Sequence, residues 1–331
     1  LVVPSVAVFG VSAYAVRFPS AFLGVLAVLF TYLMVLELFK ERKIALLTAF
    51  FLAISPWHLQ FSRLAFETNS ATFWSVLGTW AFLRAMRTKG LKVTAWLSLT
   101  ALAFGANLYM YHNARVFIPV FSLMLIFLYR DKLINLKKYL ILPAVISIIF
   151  IIFLIPIITS ISGQLRFKGT SVFGDVSPLY IASGKILADK QSGQELIGKI
   201  VHNRRLVYVP IILENYLSHL SPTFLFFEAD MDRHHAPLMG LLYLWDLPFV
   251  LAGIYFLINK SFPFKSKITV FWWFLIAPIA ASVTWGVPHS LRTAIYLPIF
   301  QIFAAIGFYQ LLIIPKRKFL MSFALVVLAL N

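Results

Sequence analysis

The sequence is poor in charged residues and contains no cysteine. Only 12% of its residues are Asp, Glu, Lys or Arg, about half the fraction typical of soluble domains. Hydrophobic residues make up 61% of the chain, and its mean hydropathy is +0.88. These figures exclude an ordinary soluble domain and indicate several membrane spans. The absence of cysteine excludes disulfides and any cysteine-based metal or redox site.

Acidic residues are also scarce, with 12 Asp and Glu against 29 Lys and Arg. Most Lys and Arg lie in five short loops, at 40–43, 84–92, 130–138, 260–267 and 316–318. The alternate short loops carry one arginine each: Arg17, Arg63, Arg115 and Arg292. By the positive-inside rule, the first set is cytoplasmic and the second faces outward. We therefore expect anionic lipid, and not nucleic acid, as the partner of the net charge of +17.

Ten apolar segments are candidate membrane spans. They lie at about 20–39, 44–61, 70–86, 93–110, 116–129, 139–158, 237–258, 268–285, 291–314 and from 319 onward. The sequence thus predicts an all-α polytopic membrane protein with about ten transmembrane helices. We divide it into an N-terminal transmembrane part (1–158), an extracytoplasmic loop layer (159–236) and C-terminal transmembrane helices (237–331).

The loop layer contains the mixed apolar and basic run ELIGKIVHNRRLVYVPIILENYL, which is interrupted by Pro210. This pattern predicts two short helices lying on the outer leaflet. The layer holds eight Lys or Arg, which the positive-inside rule permits in a long translocated loop.

The arginines of the outward loops are each surrounded by polar or aromatic residues, in VRFPS, FSRLAFE, YMYHNARVF and VPHSLRT. The rigid fork of donors on arginine is suited to binding phosphate. Arg63 and Glu67 are four residues apart, so on a helix they would share one face. The pattern indicates a site at the outer membrane edge for the head group of a phospho-lipid. In the alternative interpretation, each arginine extends to the interface or pairs with a local carboxylate.

The run YAVRFPSAFLGVLAVLFTYLMVLELF, followed by AISPWHLQFSRLAFETN, resembles the first half of the PMT-like family. This family comprises dolichyl-phosphate-mannose protein mannosyltransferases and aminoarabinose transferases, within the GT-C superfamily of membrane glycosyltransferases. YHNARVFIP and PHSLRTAIYLP are similar to patterns in bacterial members. Together the matches extend from Tyr14 to Pro298.

The resemblance implies a GT-C type helix bundle and a glycosyltransferase activity in the plasma membrane. Such enzymes transfer a sugar, usually with inversion, from a polyprenyl-phosphate carrier on the outer membrane face. The acceptor is a hydroxyl group of a protein, lipid or glycan. The usual catalytic aspartate of the family lies in the first outward loop, after a first span, and both would precede Leu1. We therefore expect a fragment without that aspartate, in which Glu67 matches the second acidic position of the family.

These arguments give two sets of candidate site residues. The catalytic candidates are Glu67, Arg63 and His112, and His112 could contact phosphate or act as an acid. The substrate-binding candidates are Arg17, Tyr111, Arg115, Asp230, His234, His289 and Arg292. His112 and His289 could instead be interfacial anchors, and a position in the aromatic belt explains His58 without chemistry.

The segment FFEADMDRHHAP offers oxygen and nitrogen ligands for a divalent metal at Glu228, Asp230, Asp232, His234 and His235. A solvated acidic turn that contacts the acceptor or sugar is the favoured interpretation, so no cofactor is assigned and the metal stays undecided.

A transporter or lipid flippase is the alternative function. It is favoured by Asp246, which lies in the predicted span 237–258 beside Pro248. Counting back from Lys260 at 1.5 Å per residue places Asp246 about 21 Å from the inner edge, which favours the outward site. A structural membrane subunit would explain the spans but not the arginines.

Overall fold

A computed structural model describes residues 2–204 and 206–313. The regular structure of these residues is helical, which confirms the all-α fold class. The N-terminal half contains α1 Val2–Phe9, α2 Ala13–Phe39, α3 Arg42–Ile54, α4 Pro56–Arg63, α5 Glu67–Ala85, α6 Lys92–Met110, α7 Ala114–Leu128, α8 Arg130–Asn135 and α9 Ile141–Thr159. The remainder contains α10 Ile161–Thr170, α11 Ser177–Gln191, α12 Glu195–Val201, α13 Tyr208–Ser218, α14 Asp246–Asn259, α15 Phe264–Ile276, α16 Ile279–Ser282, α17 Ser290–Thr293 and α18 Ile299–Ile313.

Among the described residues, four segments are long and apolar enough to cross a membrane alone: α2, α6, α9 and the continuous stretch Phe264–Ser282. Two bent pairs meet the same criterion, α3 with α4 at 55° and Ser290–Tyr296 with α18 at 50°. The shorter helices α7 and α14 are also apolar. The predicted span 237–258 is too long, because α14 begins only at Asp246. The loop 316–318 and the predicted span from 319 lie outside the described residues.

A buried carboxylate ties α2 to α5 at the end of the bundle opposite the candidate site. Glu37 lies 2.7 Å from the Nζ of Lys40, 2.9 Å from Nη1 of Arg84 and 3.2 Å from Nε of Arg87. A carboxylate in a membrane protein interior is stable only when it is paired in this way. The network brings the basic loops 40–43 and 84–92 to the same end of the bundle, as the charge pattern predicts.

Helices α14 and α18 cross closely because glycine faces the partner backbone on both sides. A Cβ atom added at Gly253 would collide with the carbonyl oxygen of Phe303, and one added at Gly307 would collide with that of Phe249. Small residues allow helix backbones to approach in this way in membrane proteins.

The segment 159–236 contains short helices, and the two predicted around Pro210 correspond to α12 and α13. The predicted break at Pro210 is wrong, because this proline lies in the first turn of α13, where its missing N–H is tolerated. Two side chains of α13 bind the span Phe264–Ser282: Asn215 Nδ2 donates to the carbonyl of Ser282 at 3.0 Å, and Tyr216 Oη donates to that of Leu275 at 2.8 Å.

Candidate active site

Four parts of the chain meet at one end of the helices. They are the α6–α7 corner, the segment around residue 292, the C-terminal turn of α4 and the segment 230–235. The α6–α7 corner is joined to residue 292 by Asn113, whose Nδ2 donates to the carbonyl oxygen of Arg292 at 2.7 Å. The C-terminal turn of α4 is joined to the segment 230–235 by Gln60, whose Nε2 donates to the carbonyl oxygen of Arg233 at 3.1 Å. Most of the predicted site residues lie in or beside these parts.

Asp230 joins two of these parts through its carboxylate. Its Oδ2 accepts hydrogen bonds from His234 Nδ1 at 2.9 Å and from the backbone N–H of Ser290 at 3.0 Å. Its Oδ1 accepts from Ser290 Oγ at 2.8 Å. Only 7% of the Asp230 side chain is exposed, so the predicted solvated acidic turn is wrong for this residue. Asp232, two positions further on, is exposed.

The hydrogen bonds keep Asp230 ionised despite its burial. Burial alone raises the pKa of this carboxyl, but the donors from His234 and Ser290 together lower it to about 2. His234 is fully buried, and its Nε2 accepts from Nε of Arg233 at 3.3 Å. The proton of His234 is therefore assigned to Nδ1, from which it is donated to Asp230.

Two further histidines surround this carboxylate. His289 Nδ1 lies 3.4 Å from Asp230 Oδ2 and, among the described residues, has no hydrogen-bond partner. His219, at the end of α13, bonds the carbonyl oxygen of Asn215 through Nδ1 at 2.7 Å. Burial lowers the pKa of each of these two imidazoles to about 4, so both are neutral at pH 7. His219 was not expected, because no motif in its loop marks it.

Asp230, His234 and His289 have the composition and spacing of a divalent metal site. One ligand atom from each lies within 4.8 Å of the others. One carboxylate and two imidazoles form a ligand set common for zinc, and the buried, unpartnered Nδ1 of His289 is aimed at the group. The other acidic residues of the segment, Glu228 and Asp232, are exposed. The residues present therefore fit a divalent ion once one nitrogen of His234 exchanges its hydrogen bond, to Asp230 or to Arg233, for the metal.

Arg115, Arg166 and Arg292 form a cationic cluster with Tyr111 and His112, and Arg292 is the member that interacts with Asp230. Arg292 donates through Nη1 to Thr284 Oγ1 at 2.7 Å and also to the carbonyl oxygen of Trp285. Burial and the charges of Arg115 and Arg166 lower the pKa of His112, so its imidazole is neutral at pH 7. The general-acid role expected of His112 stays a prediction.

Tyr111 links the cationic cluster to Glu67. Burial raises the pKa of its hydroxyl, the positive charge of Arg292 lowers this pKa, and the negative charge of Glu67 raises it further. Glu67 is exposed at the first position of α5, where the helix dipole favours an acidic group.

The predicted helical pairing of Arg63 with Glu67 is wrong. α4 ends at Arg63 and α5 begins at Glu67, because Leu64 and Phe66 are extended. Within residues 2–204 and 206–313, no ion pair joins the two side chains. Arg63 and Arg17 are both exposed, and within the described part of the chain no ion pair or hydrogen bond joins either of them to the cationic cluster.

Two further expectations are corrected by burial. His58 is 3% exposed, and its Nε2 bonds the carbonyl oxygen of Gly24 at 3.2 Å, so it lies inside the bundle and not in an aromatic belt. Asp246 is 7% exposed at the start of α14, where Oδ2 accepts the N–H of Tyr243 at 3.2 Å. This carboxylate thus stabilises the turn at the start of α14. The local hydrogen bond explains why Asp246 is buried there without a transport pathway.

Comparison with known proteins gives the class of fold first. The chain resembles the crystal structure of the Archaeoglobus fulgidus oligosaccharyltransferase complex with Zn and sulfate, with a TM-score of 0.54 and 20% identity. This likeness covers 98% of the chain but only 41% of the oligosaccharyltransferase chain. At this identity, the likeness establishes the fold alone.

The family comparison is more specific. Residues 3–157 match the family described as dolichyl-phosphate-mannose-protein mannosyltransferase. The PMT-like resemblance predicted from the sequence is thereby confirmed over these residues, which make up just under half of the chain. No significant match was found among curated proteins.

Proposed function

We propose that this protein is a membrane glycosyltransferase that transfers a sugar from a polyprenyl-phosphate carrier to a hydroxyl acceptor, with inversion, on the extracytoplasmic face of the plasma membrane. The observation that carries the proposal is the convergence of the segments that hold Arg115, Arg166 and Arg292, which hydrogen bonds from Asn113 to the carbonyl of Arg292 and from Trp285 to that of Thr170 bring together. The family match supports the reaction class.

The cationic cluster has the chemistry required by the leaving group. As the acceptor oxygen bonds to the anomeric carbon, its hydroxyl proton passes to a general base. The bond from the anomeric carbon to the phosphate oxygen breaks, and its electron pair leaves with the lipid phosphate. Guanidinium groups fixed around the phosphate stabilise the charge that develops there. Contacts to Thr284 and the carbonyl of Trp285 hold Arg292 in place before the donor binds.

Glu67 and Tyr111 occupy the side of the cluster where the sugar or acceptor would lie. Glu67 is exposed, and the pKa of the Tyr111 hydroxyl responds to the charges of both Glu67 and Arg292. We assign Glu67 to orienting the acceptor or the sugar through its carboxylate. His112, which is neutral at pH 7, is assigned to a hydrogen bond with the phosphate.

A divalent ion, if bound, would be held by Asp230, His234 and His289 and would supply additional positive charge near the donor phosphate. With or without an ion, Asp230 also holds the loop that ends in Arg292, since it binds Ser290 through both carboxylate oxygens.

Binding of a polyprenyl phosphate to the purified protein tests the proposal. Arg166→Lys and Arg292→Lys should each weaken binding by about tenfold, since a point charge cannot reproduce a planar fork and loses at least one charge-assisted hydrogen bond of about 1.5 kcal/mol. Arg130→Lys is the matched control, because Arg130 is exposed near the opposite end of α7. Unchanged affinity in both cluster variants would contradict the assignment.

Sugar transfer by the full-length enzyme tests Glu67. Glu67→Gln keeps the shape of the side chain and should reduce transfer from a radiolabelled lipid carrier by about a hundredfold. Rates are normalised to folded protein, and near-normal turnover would remove Glu67 from the site.

A further inference from the structure

Helix α13 exposes an apolar stripe that no described residue covers. Val209, Leu213 and Leu217 are 53%, 56% and 56% exposed. Their spacing of four residues places them on one face of the helix. The opposite face is bound to protein, since Tyr208 is buried and Asn215 donates to a backbone carbonyl. The helix is therefore amphipathic, with its apolar side turned away from the protein.

The contact of Tyr216 fixes the depth of α13 relative to the membrane. Its hydroxyl donates to the carbonyl oxygen of Leu275. Leu275 lies seven residues before the end of the candidate span Phe264–Ser282, a distance of about 10 Å along a helix. A side chain of α13 thus reaches below the end of a span, to a depth where lipid surrounds the protein.

The charged residues near α13 agree with an interfacial position. Arg204 is exposed just before the helix, where its guanidinium can reach lipid phosphates. Glu214 is exposed one position after Leu213, which places it about 100° around the helix from the apolar stripe. It can therefore remain at the level of the head groups.

We propose that α13 lies in the lipid leaflet on the side of the candidate active site, with Val209, Leu213 and Leu217 among the acyl chains. The helix also supports the site, because Asn215 binds the carbonyl of Ser282, two residues before the hydroxyl of Thr284 that accepts from Arg292. By holding α13 in place, the leaflet would thus help to keep Arg292 of the cationic cluster in position.

Site-directed spin labelling tests the proposal without any substrate, so its outcome is independent of the proposed activity. The chain has no cysteine, and a single label can therefore be attached to Leu213→Cys or Leu217→Cys without altering other sites. Ser192→Cys, at an exposed polar position after α11, is the matched control. The variants are reconstituted into phosphatidylglycerol-containing nanodiscs, with their thermal unfolding compared with that of the unlabelled protein.

Labels at 213 and 217 should collide several-fold more often with oxygen than with a water-soluble nickel chelate, at a depth of about 5–10 Å below the phosphates. The label at 192 should show the reverse preference. Nickel accessibility at 213 and 217 equal to that at 192 would place α13 in water and overturn the proposal. Low accessibility to both reagents would overturn it too, since it would mean that a second copy of the chain covers the stripe. Val209→Cys replaces either variant that fails to fold.

Discussion

Replacing Asp230 by Asn tests whether its carboxylate joins the segment 230–235 to residues 289–292. Asn has the same shape, and it can still accept at one position and donate to Ser290 Oγ at the other. The change therefore removes the charge and leaves the possible contacts in place. The backbone N–H of Ser290, which donates to Asp230 Oδ2 at 3.0 Å, is a direct reporter of the junction.

The expected effect follows from the three hydrogen bonds that Asp230 accepts from His234 and Ser290. A hydrogen bond to a charged group contributes about 1 kcal/mol more than a neutral one. The gain from no longer burying a charge offsets part of this loss. We therefore expect Asp230→Asn to lower the free energy of opening this junction by about 2 kcal/mol, which corresponds to roughly 30-fold more local opening.

Hydrogen–deuterium exchange of the peptide that contains Ser290, in protein reconstituted into nanodiscs, measures this opening. Asp232→Asn is the control, because Asp232 lies two positions away but is exposed. It should leave exchange at Ser290 unchanged. Exchange in Asp230→Asn within about threefold of wild type, or equal acceleration by Asp232→Asn, would refute the role of this carboxylate.

Two further predictions concern stability. Gly253→Ala should destabilise the protein by about 1–3 kcal/mol, since the new methyl group meets the carbonyl oxygen of Phe303. Thermal unfolding in detergent measures this loss. The control Gly184→Ala, which places its methyl group in open space on α11, should not destabilise the protein. Burial lowers the pKa of His219 to about 4, from an ordinary value of 6.5. The contribution of the neutral imidazole to the free energy of unfolding is therefore complete above pH 6.5. It decreases by up to about 1.4 kcal/mol per pH unit as the pH falls to 4. His219→Gln should flatten the unfolding profile between pH 6.5 and 4, and an unchanged profile would show that this imidazole does not set it.

The membrane spans could be predicted because the signal for them is local. A run such as Ile141–Thr159 has a mean hydropathy of 3.1 and is stable as a helix in lipid whatever its neighbours are. The end of α4 could not be found in the same way. Residues 64–66 contain neither glycine nor proline, and the turn depends on tertiary contacts such as those of Phe61 and Phe66 with the His234 ring.

The arginines of the candidate site were predictable only where they stood in short loops between spans. Arg115 and Arg292 were found in this way, and both lie in the cationic cluster. Arg166 was missed because it belongs to the long segment 159–236, whose path is not visible from composition. Its helix is held near the site by backbone hydrogen bonds from Val172 to the carbonyl of Val283 and from Trp285 to that of Thr170.

The hydrogen bond between Asn113 and Arg292 joins residues that are 179 positions apart. At a synthesis rate of about 5–20 residues per second, Asn113 waits roughly 10–40 s for this partner. Throughout that interval its buried amide group has to be satisfied by water, lipid or an insertion factor. A chain truncated before residue 292 would therefore have its first spans complete and the amide of Asn113 without this acceptor.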